Sequence, residues 1–333
     1  MNAVILAGGF GTRLQPLTDV TCKPMLSVCN MPMIDYTVSH LWDSGIKDFV
    51  FTLGYKPEQV IDWCIGYTGA VCRFSLEHIP LGSLGGVKAV EAFLKEHFFV
   101  FSGDIIEDIN LYALMHKHIT SGSKITMAVV EVEDSRQYGV VEVDGWGKVI
   151  SFTEKPPFGG RGLVNAGIYV VDKSILNIVP KDVKMDFAKD LLPVLVTRGE
   201  LSAYIHDGYW QDLGTINNYF TTNFDVKNGV FFKPAPNSNR DKRLGIRDKE
   251  LGNLIAAKAS VLGEARNSII APNADIAHGA RVENCIVLDG AFVRGSHYNS
   301  IIGSSFVLPV DVVANISLQS TGDRVSPLQF GNI

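Results

Sequence analysis

The stretch that decides the fold stands at the start of the chain, where residues 3–14 read Ala-Val-Ile-Leu-Ala-Gly-Gly-Phe-Gly-Thr-Arg-Leu. The apolar run before the glycines has the length and composition of a buried β-strand. Gly8, Gly9 and Gly11 then fill three of four consecutive positions, where glycine lets the backbone come close to a ligand and present its N–H groups to an anion. The stretch therefore predicts a strand that ends in an anion-binding turn.

Two cations follow this turn, and they suit a triphosphate. Arg13 lies just after the last glycine, and Lys23 opens the segment Lys-Pro-Met-Leu. The turn is not a Walker A loop, because no Gly-Lys-Ser/Thr follows, and it is not G-x-G-x-x-G, because Leu14 stands where the third glycine should be. The turn and the two cations together predict a site for the phosphates of a nucleotide.

Outward from this turn, residues 1–232 alternate apolar runs of strand length with amphipathic helical patterns. This alternation predicts a parallel α/β sheet with right-handed crossovers. From residue 125 the strands follow one another closely, so we expect the sheet to begin doubly wound and to end partly antiparallel. The predicted strands are 4–7, 49–53, 72–76, 98–101, 125–132, 139–143, 149–154 and 163–171, and the predicted helices are 33–44, 57–64, 87–96, 187–197 and 216–227.

A different pattern occupies the C-terminal part of the chain. Residues 233–250 are rich in proline, asparagine and charge, which is typical of a linker. After them, Asn-Ser-Ile-Ile or Asn-Cys-Ile-Val recurs at Asn267, Asn284 and Asn299, and apolar residues step by six. Such steps, grouped in threes, are typical of a hexapeptide β-helix. We therefore expect an α/β domain at 1–232, a linker at 233–250 and a short β-helix domain with a C-terminal tail at 251–333.

The composition limits the partners of the protein. The chain has 333 residues, with 30 Lys and Arg against 35 Asp and Glu, and thus a formal net charge of −5. Because nonspecific binding to nucleic acid or to an anionic membrane needs a basic face, we expect neither partner. No apolar run is long enough to span a membrane, and the five cysteines are scattered without a Cys-x-x-Cys pair, as suits a reducing compartment. We therefore expect a cytoplasmic protein.

Further motifs follow the first turn in a fixed order. Together with residues 6–18 and 23–26, they are Glu-His-Ile-Pro-Leu-Gly-Ser-Leu-Gly-Gly at 77–86, Ser-Gly-Asp at 102–104, Tyr-Gly-Val-Val at 138–141, Glu-Lys-Pro at 154–156, Asn-Ala-Gly-Ile-Tyr at 165–169 and Gly-Tyr-Trp-Gln-Asp-Leu-Gly-Thr at 208–215. In this order the chain resembles the sugar-1-phosphate nucleotidyltransferases, also called NDP-sugar pyrophosphorylases, and most of all the mannose-1-phosphate guanylyltransferases. The resemblance implies a Rossmann-like mixed-sheet nucleotidyltransferase domain followed by a short left-handed β-helix. It also implies an enzyme that makes an NDP-sugar and pyrophosphate from an NTP and a sugar 1-phosphate.

The resemblance implies roles for individual residues as well. Asp104 and Asp212 are expected to hold Mg²⁺, which prefers one or two carboxylates completed by waters and phosphate oxygens. Arg13 and Lys23 are expected to offset the charge of the triphosphate and of the leaving pyrophosphate. The nucleotide is expected to contact Leu6, Ala7, Gly8, Gly9, Gly11, Thr12, Arg13, Lys23, Glu77, Pro80, Gly82, Ser83, Gly103 and Asp104, and the sugar phosphate to contact Gly139, Glu154, Lys155, Asn165 and Gly167.

The nucleobase is predicted from one residue. Glu77 stands where related enzymes that use a pyrimidine nucleotide have glutamine. An ionised carboxylate only accepts hydrogen bonds, and guanine presents two adjacent donors, so we expect GTP. The alternative is that Glu77 merely ends a strand while backbone groups read the base. Mannose 1-phosphate is the expected sugar, and glucose or heptose 1-phosphate, or another nucleotide, is the alternative.

Two other functions are compatible with parts of the sequence. A regulatory subunit of the same fold typically loses phosphate-loop or metal residues, whereas this chain keeps both predicted cations and both predicted carboxylates. Hexapeptide folds also host acyltransferases with a catalytic histidine, for which His278 and His297 are candidates, although about three coils offer little cleft for an acyl-CoA. We expect the β-helix domain to assemble a homo-oligomer or to have a regulatory role, and to do no chemistry.

The remaining histidines form no metal-binding pattern in the sequence. His116 and His118 lie two residues apart, on different faces of a predicted helix. We interpret both as solvated side chains.

Overall fold

The computed structural model describes residues 1–231 and 245–311. The first of these ranges forms a nine-stranded sheet, two short two-stranded ribbons and six α-helices. In chain order the elements are β1 (Ala3–Ala7), β2 (Ser27–Val28), β3 (Met31–Pro32), α1 (Met33–Asp43), β4 (Asp48–Leu53), α2 (Pro57–Ile65), β5 (Val71–Leu76), α3 (Gly82–Ala89), β6 (His97–Ser102), β7 (Ile105–Glu107), α4 (Leu111–Ser121), β8 (Ile125–Val132), β9 (Gly139–Val143), β10 (Val149–Glu154), β11 (Gly162–Asp172), α5 (Leu192–Arg198), β12 (Leu201–His206), β13 (Trp210–Asp212) and α6 (Ile216–Asn228).

The large sheet is mixed, as the sequence predicts. Its main path runs β10-β9-β11-β6-β1-β4-β5, and β8 pairs with both β11 and β12. The pairs β1–β4, β1–β6 and β4–β5 are parallel, whereas β11 is antiparallel to β6, β8 and β9. The expectation of a sheet that begins doubly wound and ends partly antiparallel is confirmed.

Apolar side chains cover the sheet on both faces. Along β6, Phe99 and Phe101 belong to the core on one face, while Phe98 and Val100 belong to the core on the other. Residues of α1, α2 and α4 pack on the first face, and residues of α3 and α5 pack on the second. A strand buried on both faces must be apolar throughout, which is why the predicted strands read as continuous apolar runs.

Several local predictions need correction. The helix predicted at 87–96 is α3, which begins at Gly82 and ends at Ala89. The helix predicted at 187–197 divides into a π-helical turn at Phe187–Leu191 and the α-helix α5. The strands β7, β12 and β13 were not predicted, and two of these have only three residues, which is too short for a periodic pattern.

The interpretation of His118 as solvated is wrong. His116 is exposed on α4, but His118 is only 2% exposed. Its Nδ1 is hydrogen-bonded to Thr126 Oγ1 of β8 (3.0 Å), and its Nε2 lies 3.2 Å from His97 Nδ1. The side chain therefore joins α4 to the sheet.

The second described range forms a short β-helix. Three sheets run along it, and within them the strands of successive coils pair in parallel. Two outer strands pair antiparallel to their neighbours at the two ends of one sheet. Its strands are β14 (Ile246–Asp248), β15 (Asn253–Ile255), β16 (Ser260–Val261), β17 (Glu264–Arg266), β18 (Ile269–Ile270), β19 (Asp275–Ile276), β20 (Arg281–Glu283), β21 (Ile286–Val287), β22 (Phe292–Val293), β23 (Ser296–Tyr298), β24 (Ser300–Ile302) and β25 (Val307–Pro309).

The repeated asparagines form one corner of this β-helix. Asn267, Asn284 and Asn299 have φ values of 43°, 53° and 46°, in the left-handed region that asparagine tolerates better than most residues. Asn267 Nδ2 donates to Asn284 Oδ1 across successive coils (2.7 Å). The repeat therefore marks the turns between coils, and the prediction of a short β-helix is confirmed.

The predicted linker differs from the structure at its end. Residues 233–244 lie outside the described residues, and the tail from 312 onward does so too. Ile246–Asp248, however, is a strand of the β-helix sheet, because it pairs antiparallel with Asn253–Ile255. The domain boundaries at 232 and 250 otherwise stay a prediction.

The β-helix packs directly on the α/β domain. The outward-facing apolar row of its largest sheet lies in the same core cluster as residues of the β2–β3 ribbon and of α6. Lys227 Nζ of α6 also donates to Gly252 O (2.9 Å). The two domains therefore share a hydrophobic core. The β-helix contributes Leu254, Ile269, Ile286 and Ile301, and the α/β domain contributes Val28, Met31 and Phe220 among others.

The sequence predicts that the chain has no membrane-spanning segment and that its cysteines are unpaired. In 1–231 and 245–311, no helix has both the length and the apolar character needed to cross a bilayer. All five cysteines fall within these ranges, and each is a free thiol.

Candidate active site

The glycine turn lies at the carboxyl end of β1, in the middle of the sheet. Gly11 has φ +66°, and a Cβ there would lie 2.8 Å from Thr18 Cγ2, so only glycine fits without a shift. Thr18 Oγ1 in turn donates to Gly11 O (2.9 Å), which ties the turn to the segment after it. The turn therefore needs glycine at this position, and its role in binding an anion stays a prediction.

A cavity of about 300 Å³ opens beside this turn, at the sheet edge where parallel strands end. Eleven of the predicted nucleotide-binding residues line it, whereas Gly11, Thr12 and Arg13 do not. Sequence reasoning missed four lining residues. Three of them stand next to predicted ones in the sequence, and the fourth, Thr52, lies in β4 away from the predicted motifs. The predicted residues in the lining are Leu6, Ala7, Gly8, Gly9, Lys23, Glu77, Pro80, Gly82, Ser83, Gly103 and Asp104, and the missed ones are Phe10, Pro24, Thr52 and Ser102.

Two predicted carboxylates meet at one side of the cavity. Asp104 follows β6, and Asp212 ends β13. The short strands β7 and β13 pair antiparallel, with Asp212 opposite Ile105, and Leu213 N donates to Asp104 O (3.0 Å). This ribbon brings together two residues that are far apart in the sequence.

Both predicted cations face these carboxylates. Lys23 Nζ forms an ion pair with Asp104 and lies 4.0 Å from Asp212 Oδ1. At Gly214, a Cβ would lie 2.9 Å from Arg13 Nη2 and 3.0 Å from Asp212 Oδ1, so the guanidinium and the carboxylate lie against the same glycine. Arg13 therefore belongs to the carboxylate side of the site, although it does not line the cavity.

The carboxyl of Asp212 is buried and lies near the charge of Asp104, and its pKa reflects both effects. Burial, and then the neighbouring charge of Asp104, raise this pKa to about 6, although Lys23 and Arg13 act in the opposite direction. Two facing carboxylates whose charges disfavour one another fit a divalent cation, which relieves their repulsion. Asp104 and Asp212 are the residues that would hold it.

Glu77 forms another part of the cavity wall, at the end of β5. Its Oε2 accepts a hydrogen bond from Leu81 N (3.1 Å), and burial raises the pKa of its carboxyl. A Cβ at Gly86 would lie 2.5 Å from Glu77 Oε1, so the absence of a side chain on α3 makes room for the carboxylate. A second cavity, of about 370 Å³, shares Glu77 with the first.

The loop after Glu77 has partners that the sequence did not indicate. Leu84 N donates to Met185 O (2.9 Å), and Ser83 Oγ donates to Asp186 Oδ1 (3.2 Å). These bonds join the start of α3 to the segment before the π-helical turn. Both segments pack in the core on the same face of the large sheet, so these bonds hold the loop against that face.

Four of the predicted sugar-phosphate residues lie near one another. Glu154 pairs with Gly139 across β9 and β10, and it contributes to the raised pKa of Tyr169, whose main cause is burial. Asn165 Nδ2 donates to the hydroxyl of the same Tyr169 (2.7 Å), and Asn165 Oδ1 accepts from Gly167 N (3.0 Å). The amide of Asn165 is thus engaged within the protein on both sides.

Lys155 lies further out than the other four. Its side chain is half-exposed, and its Nζ lies 3.8 Å from Glu154 Oε1. Its backbone has φ +46°, and its N–H donates to Tyr138 O (3.0 Å). The backbone of Lys155 is fixed, while its ammonium group lies at the surface.

Known proteins resemble this chain in sequence and in fold. The nucleotidyl transferase family matches residues 2–229. Mannose-1-phosphate guanylyltransferase of Mycobacterium tuberculosis is 28% identical over 301 residues, which are 88% of this chain and 81% of the relative. Mannose-1-phosphate guanyltransferase of Debaryomyces hansenii is 33% identical over 229 residues, which are 66% of this chain and 63% of the relative.

A solved structure extends the comparison to the fold. HddC from Yersinia pseudotuberculosis complexed with GMP-PN superposes with a TM-score of 0.59 at 28% identity, over 68% of this chain and 99% of that one.

Proposed function

The chain belongs to the nucleotidyl transferase family, and we propose that it transfers the guanylyl group of GTP to mannose 1-phosphate. A phosphate oxygen of the sugar 1-phosphate attacks the α-phosphorus of GTP and forms a new P–O bond. The bond between the α-phosphorus and the bridging oxygen breaks, and pyrophosphate leaves with that electron pair. The products are GDP-mannose and pyrophosphate.

One observation carries the proposal. A cavity at the carboxyl edge of the sheet is bordered by the glycine turn on one side and by Lys23 and Asp104 on another, with Asp212 next to them. Phosphoryl chemistry needs positioning and charge neutralisation more than a covalent catalyst. This arrangement offers backbone N–H groups, cations and a carboxylate pair in one place.

Arg13 and Lys23 are proposed to neutralise different parts of the negative charge on the substrates. Arg13, which lies beside Gly214 and Asp212, is proposed to offset the charge that develops on the leaving pyrophosphate. Lys23 lines the cavity together with Asp104 and is proposed to contact the triphosphate. In the free protein its ammonium group offsets Asp104, so it must exchange this partner when the substrate binds.

We further propose that Mg²⁺ is the cation held by Asp104 and Asp212. Bound there, it would neutralise the phosphate charge that brings the two substrates into repulsion. The support is the donor set: two carboxylates at one end of the β7–β13 ribbon, with room at the cavity for phosphate oxygens.

We propose that Glu77 reads guanine. Its carboxylate borders the cavity and is held by Leu81 N, so it presents acceptors to the two donors of the guanine edge. Adenine would present an acceptor at the same place and meet repulsion. Relatives named for guanylyl transfer, and a structural neighbour in complex with GMP-PN, support this choice of base.

The sugar phosphate is proposed to bind between β9, β10 and β11. Gly139, Glu154, Asn165 and Gly167 lie together there, and a Cβ at Gly167 would lie 3.1 Å from Ser102 Oγ of the cavity wall. Lys155, at the rim of this region, is proposed to pair with the phosphate. Its position at the surface requires its side chain to turn inward when the substrate binds.

The location and assembly of the protein are also proposals. Free thiols support a cytoplasmic location. One face of the β-helix covers the α/β domain, and its other faces carry exposed Phe292 and Tyr298, which supports a homo-oligomer. Light scattering tests the assembly, and a monodisperse monomer would contradict it.

The test of the proposed function is a panel of kcat/KM values for GTP, ATP, UTP and dTTP with several sugar 1-phosphates. We expect the parent to prefer GTP and mannose 1-phosphate. Glu77→Gln should reduce the preference for GTP over UTP by one to two decades, since a bidentate base contact is worth roughly 1–3 kcal/mol. The matched control is Glu58→Gln, a carboxylate that lines only the second cavity. A parent that prefers UTP or dTTP, or an unchanged ranking in Glu77→Gln, rejects the role of the carboxylate.

A further inference from the structure

The two proposed metal ligands are placed by a very small element. The ribbon of β7 and β13 has three residues in each strand and is separate from the nine-stranded sheet. Asp104 and Asp212 lie at one end of this ribbon, where Asp212 is opposite Ile105. A two-stranded ribbon is barely stable by itself, so its position depends on the groups that it packs against and bonds to. Ile105 and Ile106 are buried in the core, and the far end of the ribbon has polar partners as well.

A buried histidine–carboxylate pair holds that other end. Glu107 is the last residue of β7, opposite Trp210, and is only 4% exposed. Its Oε1 is hydrogen-bonded to His40 Nδ1 (2.6 Å), and its Oε2 accepts from Ile109 N (2.6 Å). His40 belongs to α1 and is also 4% exposed.

A second contact lies one residue further along. Asp108 Oδ1 accepts from Tyr209 N (2.7 Å) and lies 2.9 Å from His206 Nε2 at the end of β12. Asp108 N donates to Tyr209 O (3.1 Å). The end of the ribbon away from the cavity is therefore fixed to α1 by one pair and to β12 by another.

We propose that His40 and Glu107 are positioning residues that set the separation of Asp104 and Asp212. Neither side chain lines the cavity. They act through the ribbon: the buried bond fixes β7 against α1, and the antiparallel pairing carries this position to both carboxylates. Partners that bond directly to metal ligands typically change metal affinity by 10–100-fold when they are removed. His40 and Glu107 act through the ribbon and bond to neither carboxylate, so we expect the lower end of this range. The metal part of this inference rests on the proposed function, whereas the part about the ribbon does not.

The test compares three variants of the full chain. His40→Leu keeps most of the volume and removes the bond, and His40→Asn restores a donor near the position of Nδ1. His118→Leu is the matched control, because His118 is an equally buried histidine that bonds to Thr126 of the large sheet and does not contact the ribbon. Amide hydrogen exchange of residues 103–108 and 209–213 reports the ribbon directly. The half-saturating Mg²⁺ concentration at saturating substrates reports the metal site.

We expect His40→Leu to speed exchange in both ribbon segments and to raise the half-saturating Mg²⁺ concentration about 10-fold. The KM for GTP at saturating Mg²⁺ should change by less than about 2-fold. His40→Asn should return the exchange rates and the half-saturating Mg²⁺ concentration most of the way to the parental values. His118→Leu should match the parent in both measurements. If His40→Leu does not fold, Glu107→Gln replaces it, since it keeps the volume and an acceptor for Ile109 N.

Two results would overturn the proposal. The first is an unchanged exchange rate of the ribbon in a folded variant, and the second is the same change in His118→Leu. A parent enzyme without nucleotidyltransferase activity would refute the proposed function instead, and the exchange comparison would still test the ribbon.

Discussion

At the scale of single residues, the candidate site depends on a balance of charges. Asp104 and Asp212 face each other beside Lys23 and Arg13. In the free protein Lys23 offsets one carboxylate, while the pKa of the other is raised to about 6 by burial and by Asp104. A divalent cation, bound here as we propose, would relieve the repulsion between the two carboxylates.

The first prediction concerns these carboxylates. Asp104→Asn and Asp212→Asn should each lower kcat by at least about 100-fold, because a neutral amide cannot offset a divalent cation. The measurement is turnover at saturating Mg²⁺, with the fold checked by circular dichroism. Asp62→Asn, an exposed carboxylate of α2, should keep the parent's turnover. Near-parental turnover in either site variant would contradict the assignment of that residue.

The same substitution at Asp212 should affect the stability of the metal-free protein. Since its folded pKa is raised above the usual 3.8, the carboxyl is favourable to folding below about pH 3.8, and this contribution is lost as the pH rises through about 6. Asp212→Asn should therefore melt at a higher temperature than the parent at pH 7.5, and the difference should shrink toward pH 4. Thermal unfolding with a chelator present measures this difference.

At the scale of elements, buried polar pairs fix helices and ribbons to the large sheet. His40 and Glu107 join α1 to the ribbon that carries the carboxylates, and His118 and Thr126 join α4 to β8. Such a buried bond stabilises one arrangement of the elements, because a partner left alone would be costly in the core. The elements around the site are thus positioned by polar contacts as well as by apolar packing.

The prediction at this scale is a dependence of stability on pH. Burial, and then the nearby His97, lower the pKa of His118 to about 4, so the folded protein keeps this imidazole neutral. In the unfolded chain it takes up a proton below about pH 6.5. Its contribution to stability is therefore full above pH 6.5 and is lost as the pH falls toward 4.

The variant His118→Leu should flatten this dependence. Urea unfolding at intervals between pH 6.5 and 4 should show a smaller loss of stability in the variant than in the parent. At pH 7.5 the variant should itself be less stable by about 1–3 kcal/mol, since Thr126 loses its partner. His116→Gln, on the exposed face of the same helix, should match the parent at every pH. If the stability of His118→Leu falls with pH as steeply as that of the parent, a group other than His118 causes the pH dependence.

At the scale of the whole molecule, the two domains share a core. The β-helix contributes an apolar row to the cluster that also contains residues of the β2–β3 ribbon and α6. α6 begins just after Asp212, and its Asn218 Nδ2 donates to Asp212 O (2.8 Å). The helix α6 therefore contacts both the β-helix and a residue of the candidate site. Removing the β-helix would expose the apolar side of that helix.

The prediction for the whole molecule uses the four tryptophans, all of which lie before residue 231. Ile286, 2% exposed, faces the α/β domain, whereas Phe292 is 52% exposed on another face of the β-helix. Ile286→Ala should destabilise the tryptophan-reported unfolding by about 2–5 kcal/mol. Phe292→Ala should change it by less than about 1 kcal/mol. If both variants leave tryptophan-reported unfolding at the parental value, the domains unfold independently.

The sequence by itself determined the fold class, the β-helix and most of the cavity wall. A strand buried on both faces, a glycine turn after it and a six-residue repeat are local patterns, and local patterns can be read along the chain. The family resemblance drawn from the ordered motifs is confirmed by the match over residues 2–229. Glycine was informative because its conformational freedom is needed at Gly11 whatever the surroundings.

Only the tertiary structure decided which polar residues meet. The ribbon of β7 and β13 is too short to leave a periodic pattern, and the partner of Glu107 lies on a helix far away in the sequence. The burial of His118 and the apolar contact between the two domains depend on packing for the same reason. Periodicity records which face of an element is buried, but the identity of the group that covers it is set by the arrangement of the whole chain.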